Sequence, residues 1–356
     1  NPVQIGTITA TREVVAGVVA LPGGVLADMV RRYWGLVLAI CMAGFGFGWL
    51  LIGLSKVYLL LLLGVALSSV ASSMWHLPAN ASLSNRFPNR RGSALSIHGI
   101  GGSAGDVVGP LLTGVLLTSL TWNEILTAYS IGPLVLAFLV FWAFRGIGET
   151  IGTSAPPALE TQLQRTKLLL KNKKLWTVTL AAGIRGMAFV TFVTFLPLYM
   201  DDTLLLSTQS RGIHFSLLIL LGVVSSPILG YFSDRIGRKP ILVPSLLALS
   251  VLSILLGLYG EGITFTILIG LIGLFLYGDQ PILTALALDI VGPEVATTTL
   301  GVLSFARLVL AAFAPPLVGI IYQVWDIQAA FYSIAFLFTL SSLILALVPT
   351  KGLRQT

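Results

Sequence analysis

Charge is scarce in this 356-residue sequence: 10% of its residues are Asp, Glu, Lys or Arg, while 56% are hydrophobic. A soluble globule needs more polar surface than that to stay dispersed, so lipid is the expected solvent. Cysteine is limited to Cys41, which excludes an internal disulfide and a cysteine-rich metal site. No Cys, His, Asp and Glu stand at metal-ligand spacing, and no Ser, His and carboxylate assemble into a triad, so neither a metal, a cofactor nor an enzyme is expected. Period-two alternation is missing too, which excludes a β-barrel. No cleavage pattern follows the first apolar stretch, which is therefore not read as a signal peptide.

What the sequence does have is length in apolar runs. A bilayer-spanning helix needs roughly 20 mainly apolar residues. Eleven such stretches fill the chain, at 3–26, 35–54, 57–80, 92–118, 122–144, 175–199, 211–232, 240–259, 262–287, 296–322 and 327–348. Glycine (37 residues) and proline (17) recur inside them, as helices in lipid tolerate when neighbours satisfy or shield the backbone. The expected fold class is an all-α polytopic membrane protein.

The net charge of +7 invites a nucleic-acid or anionic partner, but its distribution argues for topology instead. Basic residues gather in alternate loops: Arg31 and Arg32; Arg86, Arg90 and Arg91; Arg145, Arg165, Lys167, Lys171, Lys173 and Lys174; Arg235, Arg238 and Lys239; Lys351 and Arg354. By the positive-inside rule that side, with the C-terminus, is expected to be cytoplasmic, in a bacterial inner membrane. The opposite loops carry Glu124, Asp201, Asp202, Glu261 and Asp326 against Lys56 and Arg211. With these loop charges the first stretch runs from outside to inside, so a further helix is expected before Asn1.

A polar stretch at 146–174 reads as a cytoplasmic linker between an N-terminal half, 1–145, and a C-terminal half, 175–356. Motifs on its two sides echo one another. Gly24-Val-Leu-Ala-Asp28-Met-Val-Arg31-Arg32 returns as Gly230-Tyr-Phe-Ser-Asp234-Arg235-Ile-Gly237-Arg238-Lys239, with the aspartates 206 positions apart. Gly109-Pro110-Leu-Leu-Thr-Gly114 returns as Ala314-Pro315-Pro-Leu-Val-Gly319, and Pro88 as Pro293, both at an offset of 205. Landmarks at a nearly constant offset indicate two related halves of six helices, a parallel repeat found in transporters.

On these residues the chain resembles the major facilitator superfamily over essentially its whole length. Positions 230–239 match the family's loop signature in full; the first copy keeps Gly24, Asp28, Arg31 and Arg32 but has Met29 where a basic residue is usual and lacks the following glycine. The resemblance implies a latch that favours the outward-facing state; the plainer alternative is that these charges set topology and cap helices. Gly101, Gly105 and Gly109 share one helix face ahead of Pro110 and Gly114, a pattern suited to close helix packing. Gly105 to Gly114 also resembles the family's fifth-helix antiporter signature, with Thr113 in place of a glycine, which implies export in exchange for protons. The run Gly99-Ile-Gly101-Gly102-Ser103 is no dinucleotide loop, because no strand precedes it. A shorter resemblance, from Trp75-His76-Leu77-Pro78 to Gly105, is to the fosmidomycin-resistance branch of bacterial drug exporters.

Ionisable residues at membrane depth carry the functional argument, since charge at a helix centre costs about 2.5–3.5 kcal/mol even on the lower scales. Arg12, Glu13, Asp106, Arg185, Asp279 and Arg307 lie deepest by position. Asp106 is the first candidate for a protonatable group, with an ion pair to Arg12 as its structural alternative. His76 and Asp279, each just before a proline-containing step in corresponding places of the two halves, and Glu13 are further candidates for proton coupling. Arg12, Arg185 and Arg307 are candidate substrate ligands, because guanidinium offers a fixed fork to carboxylate or phosphate; pairing of Arg185 and Arg307 with Glu13, Asp106 or Asp279 is an equal alternative. The leading expectation is a proton-coupled exporter of a small organic molecule. Uptake of an organic anion, or a non-transporting receptor or assembly protein on the same scaffold, are the competing ones. Expected partners are the substrate, protons and the bilayer, without nucleic acid, and one chain is expected to suffice.

Overall fold

The computed structural model describes residues 1–87, 90–144, 147, 172–291 and 296–348, with side chains at 21–29, 31, 77, 84–85, 91–93, 96 and 296–302 left out of account. The 146–174 linker lies for the most part outside them.

All eleven apolar stretches are helical. The helices are α1 (Pro2–Met29), α2 (Trp34–Gly53), α3 (Tyr58–Arg86), α4 (Arg91–Leu116), α5 (Trp122–Phe144), α6 (Lys173–Leu198), α7 (Thr208–Ile236), α8 (Arg238–Tyr259), α9 (Gly262–Leu276), α10 (Asp279–Val291), α11 (Ala296–Val324) and α12 (Ile327–Ala346). The stretch at 262–287 differs from expectation in being two helices. Pro281 has no N–H to bond the Tyr277 carbonyl, and its ring crowds that turn, so the helix stops at Leu276 and restarts at Asp279.

Nine stretches among the described residues are long and apolar enough to cross a membrane. α1 and α4 have the length but dilute their apolar residues: α1 carries Gln4, Thr7, Thr9, Thr11, Arg12 and Glu13, and α4 carries His98, Ser103 and Asp106. Large apolar side chains cover the outer faces, among them Phe138 at 70% and Trp142 at 67% exposure. That surface is matched to acyl chains and ill-suited to water.

Local chemistry starts several helices. Asn172 Oδ1 accepts from Lys174 N (3.0 Å) and Leu175 N (3.2 Å), and Asp326 Oδ1 accepts from Ala329 N (2.7 Å). Thr121 and Glu124 form a capping box, with Thr121 N donating to Glu124 Oε2 at 2.8 Å and Glu124 N to Thr121 Oγ1 at 3.4 Å.

α2 packs on α3 and α5, while α6 packs on α11 and α12, and α12 on α8. The groups α1–α5 and α6–α12 meet mainly where α1 lies along α11 and α4 along α7. Both meetings are backbone-close. A side chain at Gly6 would begin 2.5 Å from Pro315 O, and one at Gly319 2.9 Å from Pro2 O. Across the other pair, one at Gly212 would begin 2.5 Å from Pro110 O, and one at Gly114 2.7 Å from Thr208 O. Only glycine permits such approaches. The prolines and glycines involved, Pro110 with Gly114 and Pro315 with Gly319, are the repeat-related pairs noted above, so one packing solution occurs twice. Both crossings lie toward the end of the bundle where Asp201, Asp202 and Asp326 sit, here called the acidic end; Arg86, Arg235 and Arg238 mark the basic end.

Candidate functional site: deep ionisable residues of two helical groups

Side chains from α1, α4, α6, α10 and α11 bring the deep ionisable residues together. Arg185 lies on α6, whose Gly183 and Gly186 let α11 approach: side chains there would begin 2.3 Å from Leu310 Cδ1 and 2.9 Å from Arg307 Cγ. The stem of Arg307 is thereby held against the turn of α6 that carries Arg185.

Arg185 itself is closed off. Its Nε donates to Asp279 Oδ2 at 2.9 Å and its Nη2 to Asp279 Oδ1 at 2.5 Å; Nη1 donates to Gln280 Oε1 at 3.4 Å, and Nη2 also to the Leu276 carbonyl. Arg185 is 2% and Asp279 1% exposed. The guanidinium lies over the Phe189 ring at 4.7 Å, and Phe189 meets Tyr277 edge-on at 5.4 Å. A bidentate fork, a freed carbonyl and an aromatic face satisfy a cation that could not stay buried alone. Of the alternatives left open for these two residues, the structure takes the ion pair.

The other four deep charges are arranged differently. Glu13, 7% exposed, has Arg12 and Arg307 as its electrostatic neighbours. Asp106 has Arg12, and Tyr277 of the opposite helical group, as its electrostatic neighbours. Asp106 and Arg12 are exposed and Arg307 is part-buried. No ion pair within 4.0 Å joins any of the four to another of the described residues. The depth of Glu13 relative to Arg307 follows from the α1·α11 packing, where Gly17 meets Leu308 and Val309 and Gly6 meets Pro315. A long arginine one turn from that level reaches a glutamate at position 13.

His76, exposed on α3, has His98 of α4 as its electrostatic neighbour, and none of the four is among its neighbours of that kind. On α4, side chains at Gly101, Gly105 and Gly109 would meet nothing within 4 Å, whereas Pro110 and Gly114 make the crossing with α7. The close packing of this motif is therefore found at its acidic-end half.

The loop signature at 230–239 is built as one unit. Gly237, with φ of 101°, turns α7 into α8 in a conformation that side chains disfavour. This brings Arg238 back onto Asp234 and Ser233 (2.8 Å), and its Nε also donates to Asp289 Oδ2 of α10 at 3.2 Å. Lys239 Nζ donates to Val348 O at 2.9 Å and to Ala346 O, closing the end of α12. Arg235 lies over the Tyr231 ring at 4.4 Å, and a side chain at Gly230 would meet nothing within 4 Å. Of the first copy, Arg32 is exposed in a short turn, while the side chains of Gly24 and Asp28 lie outside the described residues.

Sequence reasoning missed Phe189, Tyr277 and Gln280 around Arg185. The signal that points to them is the Tyr277-Gly278-Asp279-Gln280-Pro281 step, a helix break in the middle of an apolar run. It also did not foresee the roles of Gly6 and Gly212, which lie outside every recurring motif.

Two groups of long apolar helices with ionisable side chains on the helices between them, and no strand among the described residues, fit a polytopic membrane protein. The family model of the Major Facilitator Superfamily matches residues 1–307 and 184–355 in two overlapping stretches, and the chain belongs to that superfamily of transporters, not to an enzyme family. An uncharacterized MFS-type transporter of Bacillus subtilis, YfnC, is 23% identical across 99% of this chain and 86% of that protein. The fosmidomycin resistance protein of Escherichia coli is 25% identical across 76% and 66%. The multidrug resistance protein MdtG of Klebsiella pneumoniae is 32% identical over a match spanning 46% of this chain and 42% of that protein. The fold is shared with the nucleoside transporter NupG, at a TM-score of 0.78 and 15% identity over 97% of this chain and 89% of that one.

Proposed function

We propose that this chain is a secondary transporter in which two helical halves rock about the level of the deep charges, exporting a small organic molecule in exchange for protons taken up by Asp106. The observation that carries the reading is the state of Asp106: a carboxylate at mid-helix on α4, beside Arg12 yet in no ion pair within 4.0 Å among the described residues. A carboxylate already committed to a partner, as Asp279 is, has no capacity to exchange a proton during the cycle; one left open has. Two crossings that close the acidic end suit the inward-facing member of an alternating pair, with the basic end cytoplasmic. The resistance for which the E. coli and K. pneumoniae relatives are named supports export.

The test is proton flux in proteoliposomes holding the full-length chain, screened against pooled lipophilic drugs and organic anions. Substrate-evoked proton movement that Asp106→Asn abolishes, with folding intact, is the expected result. Gradient-driven transport that persists in Asp106→Asn would move the coupling site elsewhere. One observation favours a second reading: the guanidinium of Arg307 also makes no ion pair within 4.0 Å among the described residues, which suits proton-linked uptake of an organic anion. Counterflow in inverted vesicles separates the two directions.

A further inference from the structure

At the acidic end α6 runs on past Leu198 into a single π-helical turn, Tyr199–Thr203, in which Leu204 N donates to Tyr199 O at 3.1 Å. The base of this turn is fixed. Tyr199, 3% exposed, meets the rings of Phe265 on α9 at 6.0 Å and Phe331 on α12 at 5.0 Å. Its hydroxyl donates to Gly260 O, just beyond α8, at 2.9 Å. The tip of the turn carries two exposed aspartates that reach different helices. Asp201 Oδ2 lies 2.7 Å from Arg211 Nη1 on α7, and Asp202 Oδ2 accepts from the Tyr322 hydroxyl on α11 at 2.6 Å.

Those are the two helices of this group that cross onto α1–α5, and each arm lands at a crossing. Arg211 stands between Thr208, whose carbonyl would lie 2.7 Å from a side chain at Gly114, and Gly212, where a side chain would begin 2.5 Å from Pro110 O. Tyr322 comes one helical turn after Gly319, where a side chain would begin 2.9 Å from Pro2 O. Among the described residues α7 and α11 share no extended contact of their own. The turn is therefore a direct bond between two helices that otherwise meet only through their neighbours.

We propose, resting on the alternating-access reading above, that Tyr199–Thr203 is a strap that makes the two crossings open and close together. If α7 leaves α4 while α11 stays on α1, the two helices shift relative to one another and at least one aspartate arm must break. Both arms join elements of the same helical group, so neither has to break when α7 and α11 move as one. In this the strap differs from a latch between the groups, which is lost on opening. It disfavours the half-open state and leaves the fully closed and fully open ones alone.

The test reads each crossing separately in the full-length chain in lipid nanodiscs, with one spin-label pair at the acidic ends of α4 and α7 and another at those of α1 and α11. Gly212→Ala pushes directly on the first crossing only. With the strap intact, the separated fraction at the second crossing should also rise, by about fivefold or more. In the Asp201→Asn/Tyr322→Phe background Gly212→Ala should part α4 from α7 and leave α1 and α11 unchanged. Gly6→Ala, which pushes on the second crossing, should show the reciprocal pattern, because coupling between two equilibria is mutual. The exchange Asp201→Arg/Arg211→Asp should recover coupling that either single substitution loses, which a merely destabilised fold would not. An α1·α11 response of equal size with and without the two arms, or no response with both arms present, overturns the strap. Coupled crossings in a chain that moves no substrate leave the strap standing and remove the transport reading instead.

Discussion

Arg185 and Asp279 close on each other across a break in a helix: the fork of Arg185 spans the Leu276 carbonyl at the end of α9 and the Asp279 carboxylate at the start of α10. One side chain from α6 thus splints the two pieces of a discontinuous span. The pair is buried, and it ties α6 to the start of α10.

The first prediction follows from that burial. Arg185→Gln or Asp279→Asn leaves an unpaired charge in a low-dielectric core, which costs about 3–5 kcal/mol. Thermal unfolding in detergent should show each single variant strongly destabilised and the double variant recovering part of the loss. A double variant as unstable as the sum of the singles would mean that the two side chains act independently.

A second prediction separates the two kinds of glycine on α4 and α7. At Gly212 a methyl group would start 2.5 Å from Pro110 O, a fixed backbone atom, whereas at Gly101 it would meet nothing. Gly212→Ala should force α4 and α7 apart; spin labels at the acidic ends of these helices should report a longer distance and a smaller closed population. Gly101→Ala should leave that distance unchanged and, by helix propensity, shift stability by no more than about 1 kcal/mol. Equal effects at both positions would argue against the crossing as a backbone contact.

The Arg238 cluster at the basic end makes a third case. Asp234 and Asp289 are largely solvent-exposed at 63% and 41%, so the bridge from Arg238 to α10 contributes under about 1 kcal/mol to stability. Asp289→Asn should leave the melting temperature nearly unchanged. If the motif is a latch, the same substitution shifts the balance of conformations, read as faster cysteine labelling at the basic end of α10. Salt should act in the same direction on the unmodified chain, because exposed charges are screened.

How much of this was legible beforehand depends on the distance over which the information is stored. The spans were readable because apolar length is a local property; α2, α5 and α8 fall within one or two residues of their expected limits. The α9–α10 break was written in Gly278 and Pro281, but a proline within an apolar run usually leaves a membrane helix continuous, as Pro133 and Pro227 do here. Pairing among the deep charges was beyond reach. Arg185 and Asp279 are 94 positions apart, and whether they meet depends on how α6 and α10 are rotated about their axes, which their own sequences do not record. For the same reason Glu13, one residue from Arg12, turned out buried while Arg12 is exposed. The resemblance to a known family supplied the loop motif, and the structure added its link to α10 through Asp289.

The last prediction concerns Glu13, which sits between Arg12 and Arg307 at the α1·α11 contact. As an acid whose charge acts on Arg307 it competes with any oxyanion for that guanidinium. Glu13→Gln removes the competitor while leaving a side chain of nearly the same volume. An anion-only probe such as N-acetyl-6-aminohexanoate should then bind about tenfold tighter, equivalent to about 1.4 kcal/mol, because the negative charge acting on Arg307 is gone and the net charge around it rises by one. The amide of 6-aminohexanoate, a cation, should bind more weakly for the same reason. Stability should fall by about 1–3 kcal/mol, since two arginines lose a shared counter-charge. If the anion's affinity is unchanged, Glu13 does not gate Arg307, and the arginine meets its ligand from another direction.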